Sequence, residues 1–206
     1  TRILERARHN ATHKDIPVFQ LDKRWLPELV ALTRYVDGPG KARDLLARHG
    51  IILVIEKHLA GTYLDGAAML DENDRPVIGL TLRFDRLDNF WCVLFHEIGH
   101  IFLHLMEGVR YDFFDEEGVI ARDRIELEAD EFALNSLIPL ESWNECLSRF
   151  AMSEESVRID AERLCIDVSI IAGRIRRERG NYTVLNNLVG QDHVRAQFAE
   201  DIDAIE

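Results

Sequence analysis

Two histidines and one glutamate have the types and the spacing of a metal site with a general base beside it. His96 and His100 lie four residues apart, and Glu97 directly follows the first of them, in the pattern H-E-x-x-H. On an α-helix, side chains four residues apart lie on one face, so both imidazoles can bind one ion. Glu97 can then take a proton from water at that ion. The alternative interpretation is a helix that turns three polar side chains toward solvent.

The residues around the motif predict the helix that this chemistry requires. Six apolar residues recur at helical spacing and form one stripe, roughly opposite the H-E-x-x-H side chains. The stripe consists of Trp91, Leu94, Phe95, Ile98, Phe102 and Leu105. We expect the stripe to pack on the core, so that the polar face lines a cleft.

A catalytic zinc ion usually has three protein ligands and one open position, so a third ligand is needed. His104 lies one turn beyond His100, about 6 Å along the helix axis, and is too far away to bind the same ion. We expect His104 in the outer shell of the site or at the helix end. The longer motif H-E-x-x-H-x-x-G-x-x-H is excluded, because Leu103 and Met106 occupy its glycine and histidine positions.

The third ligand is predicted in a second helix, around residues 125–133. Glu126 and Asp130 share one face of this helix, one turn apart. Glu126 can complete a His, His, Glu site, and Asp130 can accept a hydrogen bond from the second ring nitrogen of a ligand histidine. The small residues Ala129 and Ala133 would let the two helices approach closely. The alternative interpretation of these acidic residues is a solvated helix face.

Both motifs closely resemble those of the ImmA/IrrE metallopeptidase family. They read HEIGHIFLH at residues 96–104 and ELEADEFALNSLIP at residues 126–139. The resemblance covers about residues 46–198. It implies an α+β fold in which a mostly helical, zincin-like domain of the gluzincin type carries the site.

The resemblance also implies an activity, a cofactor and a class of partner. It implies a zinc-dependent endopeptidase, with manganese as an alternative metal and with low or conditional activity. The implied substrate is a DNA-binding transcriptional regulator or an antitoxin-type protein in the bacterial cytoplasm, including the option of an N-terminal domain of the same polypeptide. Residues 75–91 and 170–182 resemble the branch fused behind a helix-turn-helix domain, as in HigA-type antitoxins and XRE-type regulators.

Two other functions are compatible with the same residues. The first is a non-proteolytic, metal-binding sensor or interaction module of a toxin–antitoxin, phage-response or stress-response regulator. The second is a non-proteolytic metal hydrolase, which is less favoured because the sequence contains no phosphate-binding loop or nucleotide motif. Glu97 argues against the sensor, because a purely structural zinc site gains nothing from a base beside an open position.

Three segments ahead of the metal helix predict strands, an apolar, β-branched one at residues 51–56 and two further ones at residues 67–70 and 77–82. We expect them to form a small antiparallel three-stranded sheet. Its edge could take up an extended substrate by β-augmentation, or the sheet could simply cover the core.

The chain is predicted to contain one main domain. Residues 21–198 are expected to form the metallopeptidase-like domain. Residues 1–20 are expected to be a tail or linker, as would follow a removed helix-turn-helix domain, and residues 199–206 an acidic, frayed tail.

Four side chains are candidates for a second donor to the oxyanion of the reaction, and the sequence does not rank them. They are Tyr63, Tyr111, Arg174 and His193. Tyr111 lies in a polar connection predicted as a loop over residues 107–122. Arg174 lies in a helix predicted to begin at Asp167 or Ser169 and to end at Gly180, and its alternative role is that of a surface arginine.

Composition narrows the possible partners and the compartment. The chain has 206 residues, 47% hydrophobic, and a formal net charge of −12, which argues against direct nucleic-acid binding. The three cysteines show neither a disulfide framework nor a zinc-finger spacing, so we expect a reducing, cytoplasmic compartment. No stretch approaches the roughly 18 unbroken apolar residues of a membrane span. The oligomeric state stays open.

Overall fold

The fold is mostly helical with one small sheet, which confirms the predicted α+β class. The computed structural model describes residues 3–7, 16–58, 61, 63–106 and 116–203. Among the helices described there, none is both long enough and apolar enough to cross a membrane.

The elements are numbered in chain order. The strands are β1 (Ile52–Ile55), β2 (Gly66–Leu70) and β3 (Pro76–Leu80). The helices are α1 (residues 3–7), α2 (Leu26–Ala31), α3 (Gly38–Arg48), α4 (Leu87–His100), α5 (Glu116–Leu137), α6 (Leu140–Asn144), α7 (Ser148–Ala151), α8 (Glu154–Leu164), α9 (Val168–Arg179) and α10 (Ala199–Asp203). One π-helical turn at Ile101–Leu105 extends α4, and 3₁₀ turns lie at Leu32–Arg34, Asn186–Leu188 and Arg195–Phe198.

The sheet has the strand order β1-β3-β2 and is mixed. β2 and β3 form the predicted antiparallel hairpin, with Ala68 opposite Ile78. The prediction of a wholly antiparallel sheet is wrong for β1, which pairs with β3 in parallel. The physical reason is that β2, the next strand in the chain, lies at the far edge of the sheet and antiparallel to β3. The hairpin therefore places β3 between β1 and β2 and in the same direction as β1.

Both faces of the sheet are covered. Because side chains alternate along a strand, Leu53 and Ile55 face the main core, while Ile52 and Val54 face the other way. Ala7 of α1 is buried against this second face. An apolar sheet face is stable only when something packs on it, and α1, which lies within the segment predicted as a tail or linker, provides this contact.

Helix α4 lies at the centre of the core. It packs against α5, α9, β2 and β3. The predicted apolar stripe is confirmed, because Trp91, Leu94, Phe95 and Ile98 are all fully buried. The opposite face of α4 carries the H-E-x-x-H side chains and borders the cleft described below.

The end of the chain also differs from the prediction. Residues 199–203, expected to be part of a frayed acidic tail, form α10. Asp201 pairs with Arg43 of α3 at 2.6 Å, and Ile202 packs on the main core. The ion pair and the apolar contact explain why this acidic segment is ordered.

Candidate metal centre

The donor atoms of His96, His100 and Glu126 converge on one point. The Nε2 atoms of the two histidines are 3.0 Å apart. Glu126 Oε2 lies 3.2 Å from Nε2 of His96 and 3.6 Å from Nε2 of His100. Two ligand atoms about 2.0–2.1 Å from a tetrahedral zinc ion are about 3.3 Å apart, so the three distances fit such an ion. The predicted His, His, Glu group could therefore hold a metal.

A close crossing of α4 and α5 brings Glu126 to the histidines. A Cβ atom added to Gly99 would lie 3.2 Å from both Cα and O of Ala129, so the two backbones nearly touch. Ala129 and Ala133 are fully buried, which confirms that small residues permit the approach. Helix α5 begins at Glu116, inside the stretch predicted as a loop, and continues to Leu137.

His96 is held from behind by Asp130. Its Nδ1 lies 2.8 Å from Asp130 Oδ1, as predicted for a residue that fixes the ligand tautomer. Burial opposes the charged form of His96, but the hydrogen bond that His96 donates to Asp130 and the carboxylates of Glu97, Asp130 and Glu126 raise the pKa of His96. Burial likewise opposes the ionisation of Asp130, and its bonds with His96 and Arg177 outweigh this and lower the pKa of Asp130.

His100 is kept neutral by its surroundings. Burial, followed by the nearby charge of His96, lowers the pKa of His100 to about 4. A neutral imidazole is the form that binds a metal. Its second nitrogen, Nδ1, lies 3.1 Å from Nδ1 of His104, which therefore lies in the outer shell, as expected.

Glu97 has the properties of a general base. Its side chain is 5% exposed. Burial raises the pKa of Glu97 to about 7, although the charge of His96 and a hydrogen bond from the backbone N–H of Ala68 oppose this. A Cβ atom added to Gly66 would lie 2.6 Å from Glu97 Oε1, so only glycine lets β2 pass this close to the carboxylate.

These side chains lie in a cleft of ≈ 800 Å³ between β2, α4 and α5. Gly66, Ala67 and Ala68 of β2 line one wall, and His96, Glu97, His100 and Glu126 line the other. Of the four candidate oxyanion donors, Tyr63 lines this cleft. Its side chain is 84% exposed and its ring lies 5.0 Å from the guanidinium of Arg83.

Two of the other oxyanion candidates, Arg174 and His193, do not line the cleft in the described structure. Arg174 turns inward but away from it, and is 7% exposed. Its Nη1 donates to the carbonyls of Leu134 and Ile138 at the end of α5, at 3.0 and 2.7 Å. His193 is exposed and does not line the cleft. Tyr111 lies outside the described residues.

Arg177 and Glu128 contact the site and were not predicted to do so. Arg177 of α9 lines the cleft and pairs with Asp130. Glu128 of α5 lies 3.1 Å from His104. The spacing of Arg177 does not distinguish it from its neighbouring arginines. For Glu128 a signal existed, because the four-residue interval from His96 through His100 to His104 places His104 on the face that meets α5, where Glu128 contacts it.

Comparison with known families agrees with the motifs. A family model described as the IrrE N-terminal-like domain, Peptidase_M78, matches residues 47–165, which is more than half of the chain. The matched region includes α4 and α5, and thus both parts of the candidate metal centre. No curated protein matches the chain at a significant level.

Proposed function

Because the chain belongs to the Peptidase_M78 (IrrE N-terminal-like) family of metallopeptidases, we propose that it is a zinc-dependent endopeptidase. The observation that carries the proposal is that Glu97 lines the same cleft as the three converging donor atoms. Two imidazoles and one carboxylate suit zinc, whereas manganese prefers a larger share of oxygen ligands. A structural metal site would have no use for a buried base at its side.

Four residues would have separate roles in peptide hydrolysis, three in metal binding and one in proton transfer. His96, His100 and Glu126 would hold the zinc ion, which when bound acts as a Lewis acid on the substrate carbonyl and makes water a better nucleophile. Glu97 accepts the proton of the attacking water on its carboxylate and then donates it to the leaving amine. Burial raises the pKa of Glu97 in the metal-free chain. A zinc ion bound beside it would lower that pKa and keep the carboxylate ready to accept the proton of water.

The edge strand β2 is the proposed binding surface for an extended substrate. The backbone N–H of Thr81 donates to the carbonyl of Asp65, so residues of odd number in this part of β2 face β3. Gly66, Ala68 and Leu70 therefore turn their backbone groups outward, because these alternate along a strand. A peptide added along this edge by β-augmentation would pass beside Glu97, to which Ala68 already donates.

The proposed substrate is a DNA-binding regulator or antitoxin-type protein in the cytoplasm. This rests on the resemblance of the two motifs to the ImmA/IrrE family and of residues 170–182 to its helix-turn-helix-fused branch. The formal net charge of −12 would favour encounter with a basic partner. A non-proteolytic sensor that binds a toxin is the alternative, and the buried base argues against it.

The experiment is a cleavage assay on the zinc-loaded protein with a proteome-derived peptide mixture, read by mass spectrometry. Wild type should produce new peptide ends that Glu97→Gln does not produce, while both proteins contain equal zinc. Identical peptide profiles for the two proteins would contradict the proposal and favour the sensor.

A further inference from the structure

His104 joins the metal-ligand histidine His100 to an acidic residue of the neighbouring helix. Its Nδ1 lies 3.1 Å from Nδ1 of His100, and its Nε2 lies 3.1 Å from Oε2 of Glu128. The His104 side chain is 3% exposed, whereas the Glu128 side chain is 46% exposed. A buried imidazole thus has a partner on each ring nitrogen, one at the site and one at the surface.

His104 follows His100 by four residues, the spacing that brings side chains together on one face of a helix. The helix continues past His100 as a π-helical turn at Ile101–Leu105. Here the backbone N–H of Met106 donates to the carbonyl of Ile101, a bond that spans five residues and widens the turn. The ring centroids of His100 and His104 are 5.2 Å apart, close to the 4.7 Å between those of His96 and His100 one turn earlier. Such turns occur frequently at functional sites.

The hydrogen-bond directions are fixed by the ligand role of His100. Its Nε2 faces the other donor atoms, so its proton is on Nδ1 and is donated to Nδ1 of His104. His104 then carries its own proton on Nε2 and donates it to Glu128. Each ring nitrogen of His104 thus has a partner in this series of hydrogen bonds from His100 to Glu128. The negative charge of Glu128 makes the imidazoles better donors of electron density to a metal.

We propose that His104 and Glu128 are positioning residues that hold His100 in the tautomer and orientation required for metal binding. The inference rests on the proposed metal centre and gives each ligand histidine its own support from α5. His96 is supported directly by Asp130, and His100 is supported through His104 by Glu128. Outer-shell partners of this kind change metal affinity by about 10–100-fold.

The test is the zinc affinity of the full chain, measured by competition with a chromophoric chelator. His104→Leu keeps most of the side-chain volume and removes the acceptor, and should bind zinc about 10–100-fold more weakly. His104→Asn places an amide oxygen near the position of Nδ1 and should recover most of the affinity. Glu128→Ala should weaken binding several-fold, while Glu131→Ala, an exposed carboxylate on the same helix, should match wild type.

The relative zinc affinities of His104→Leu and His104→Asn distinguish a positioning role of His104 from a packing role. A residue needed only to fill space would be replaced better by leucine than by asparagine, so equal or tighter zinc binding by His104→Leu would overturn the inference. Wild-type affinity in Glu128→Ala, whose half-exposed side chain is not needed for folding, would overturn the role of Glu128. Zinc binding without peptide cleavage in wild type would contradict the peptidase alone. No zinc binding by wild type would overturn the metal centre and this inference together.

Discussion

Arg177 holds Asp130 in place behind the candidate metal ligand His96. The guanidinium pairs with Oδ2 of Asp130, and the other carboxylate oxygen, Oδ1, faces Nδ1 of His96. Arg177 also donates to Sγ of Cys92, one turn before His96 on α4, at 3.4 Å. Helix α9 therefore contributes to the metal centre although it supplies no ligand.

The contact between Arg177 and Asp130 predicts that zinc affinity depends on both of these residues. Asp130→Asn should weaken zinc binding by about 10–100-fold, and Arg177→Met should weaken it less, because Asp130 itself remains. Competition with a chromophoric chelator measures both effects. Arg179→Met removes an arginine from the same helix outside the cleft and should bind zinc as wild type does. Equal affinities for Arg177→Met and Arg179→Met would refute the role of Arg177.

Gly66→Ala is expected to impair catalysis without loss of metal. The new Cβ atom would lie 2.6 Å from Glu97 Oε1 and 2.7 Å from Cγ1 of Val93, so β2 or Glu97 must move. Small displacements of a catalytic group reduce rates strongly, and we expect kcat/KM to fall about tenfold or more. Gly40→Ala, on α3, has room for a Cβ atom and is the control. Unchanged kcat/KM in Gly66→Ala would show that the close approach is unimportant.

The metal-free protein should lose stability with rising pH because of Glu97. Burial raises the pKa of Glu97 from 4.5 to about 7, so the folded chain holds this proton more tightly than the unfolded chain. The protonated Glu97 carboxyl therefore contributes roughly 3 kcal/mol to the free energy of unfolding. This contribution is fully present below about pH 4.5 and is lost as the pH rises through about 7.

Glu97→Gln cannot ionise and should be spared this loss. Urea denaturation of chelator-treated wild type and Glu97→Gln, at about pH 4.5 and pH 8, gives the difference in the free energy of unfolding. From about pH 4.5 to pH 8, the free energy of unfolding of Glu97→Gln should rise relative to that of wild type. Parallel pH profiles for the two proteins would mean that the Glu97 carboxylate is not buried.

Arg174 is expected to serve stability, not catalysis. Its guanidinium donates to two carbonyls at the end of α5 and lies 4.6 Å from the ring of Trp143. Arg174→Met leaves the buried carbonyl of Ile138 without its donor, whereas the carbonyl of Leu134 still accepts from the backbone N–H of Ile138. The substitution should cost roughly 1–3 kcal/mol in the free energy of unfolding. Urea denaturation measures the loss, and the folded variant should retain its zinc and its kcat/KM. Wild-type stability combined with loss of cleavage would instead favour the oxyanion role.

Local patterns in the sequence predicted the elements that carry the site. The apolar stripe from Trp91 to Phe102 predicted α4, because helical amphipathicity depends on neighbouring residues. Helix α9 begins and ends as predicted, with Asp167 as its N-cap and Gly180 in the left-handed conformation at its end. The spacing of Glu126 and Asp130 likewise places both on the face of α5 that meets α4.

Relationships between distant segments could not be predicted in this way. The parallel pairing of β1 with β3 depends on the placement of the hairpin of β2 and β3 beside β1, which no local pattern encodes. The inward direction of Arg174 and the pairing of Arg177 with Asp130 depend on where α9 packs. The pairing of His104 with Glu128 likewise depends on where α5 packs against α4.

The central claim is that His96, His100 and Glu126 bind one metal ion. Elemental analysis of purified wild type, Glu126→Ala and Glu131→Ala tests it most directly, because both glutamates lie on α5 and only Glu126 faces the histidines. We expect about one zinc ion per chain in wild type and Glu131→Ala and a large loss in Glu126→Ala, since a catalytic zinc ion needs three protein ligands. Equal zinc in all three proteins, or none in wild type after zinc is added, would contradict the proposed metal centre.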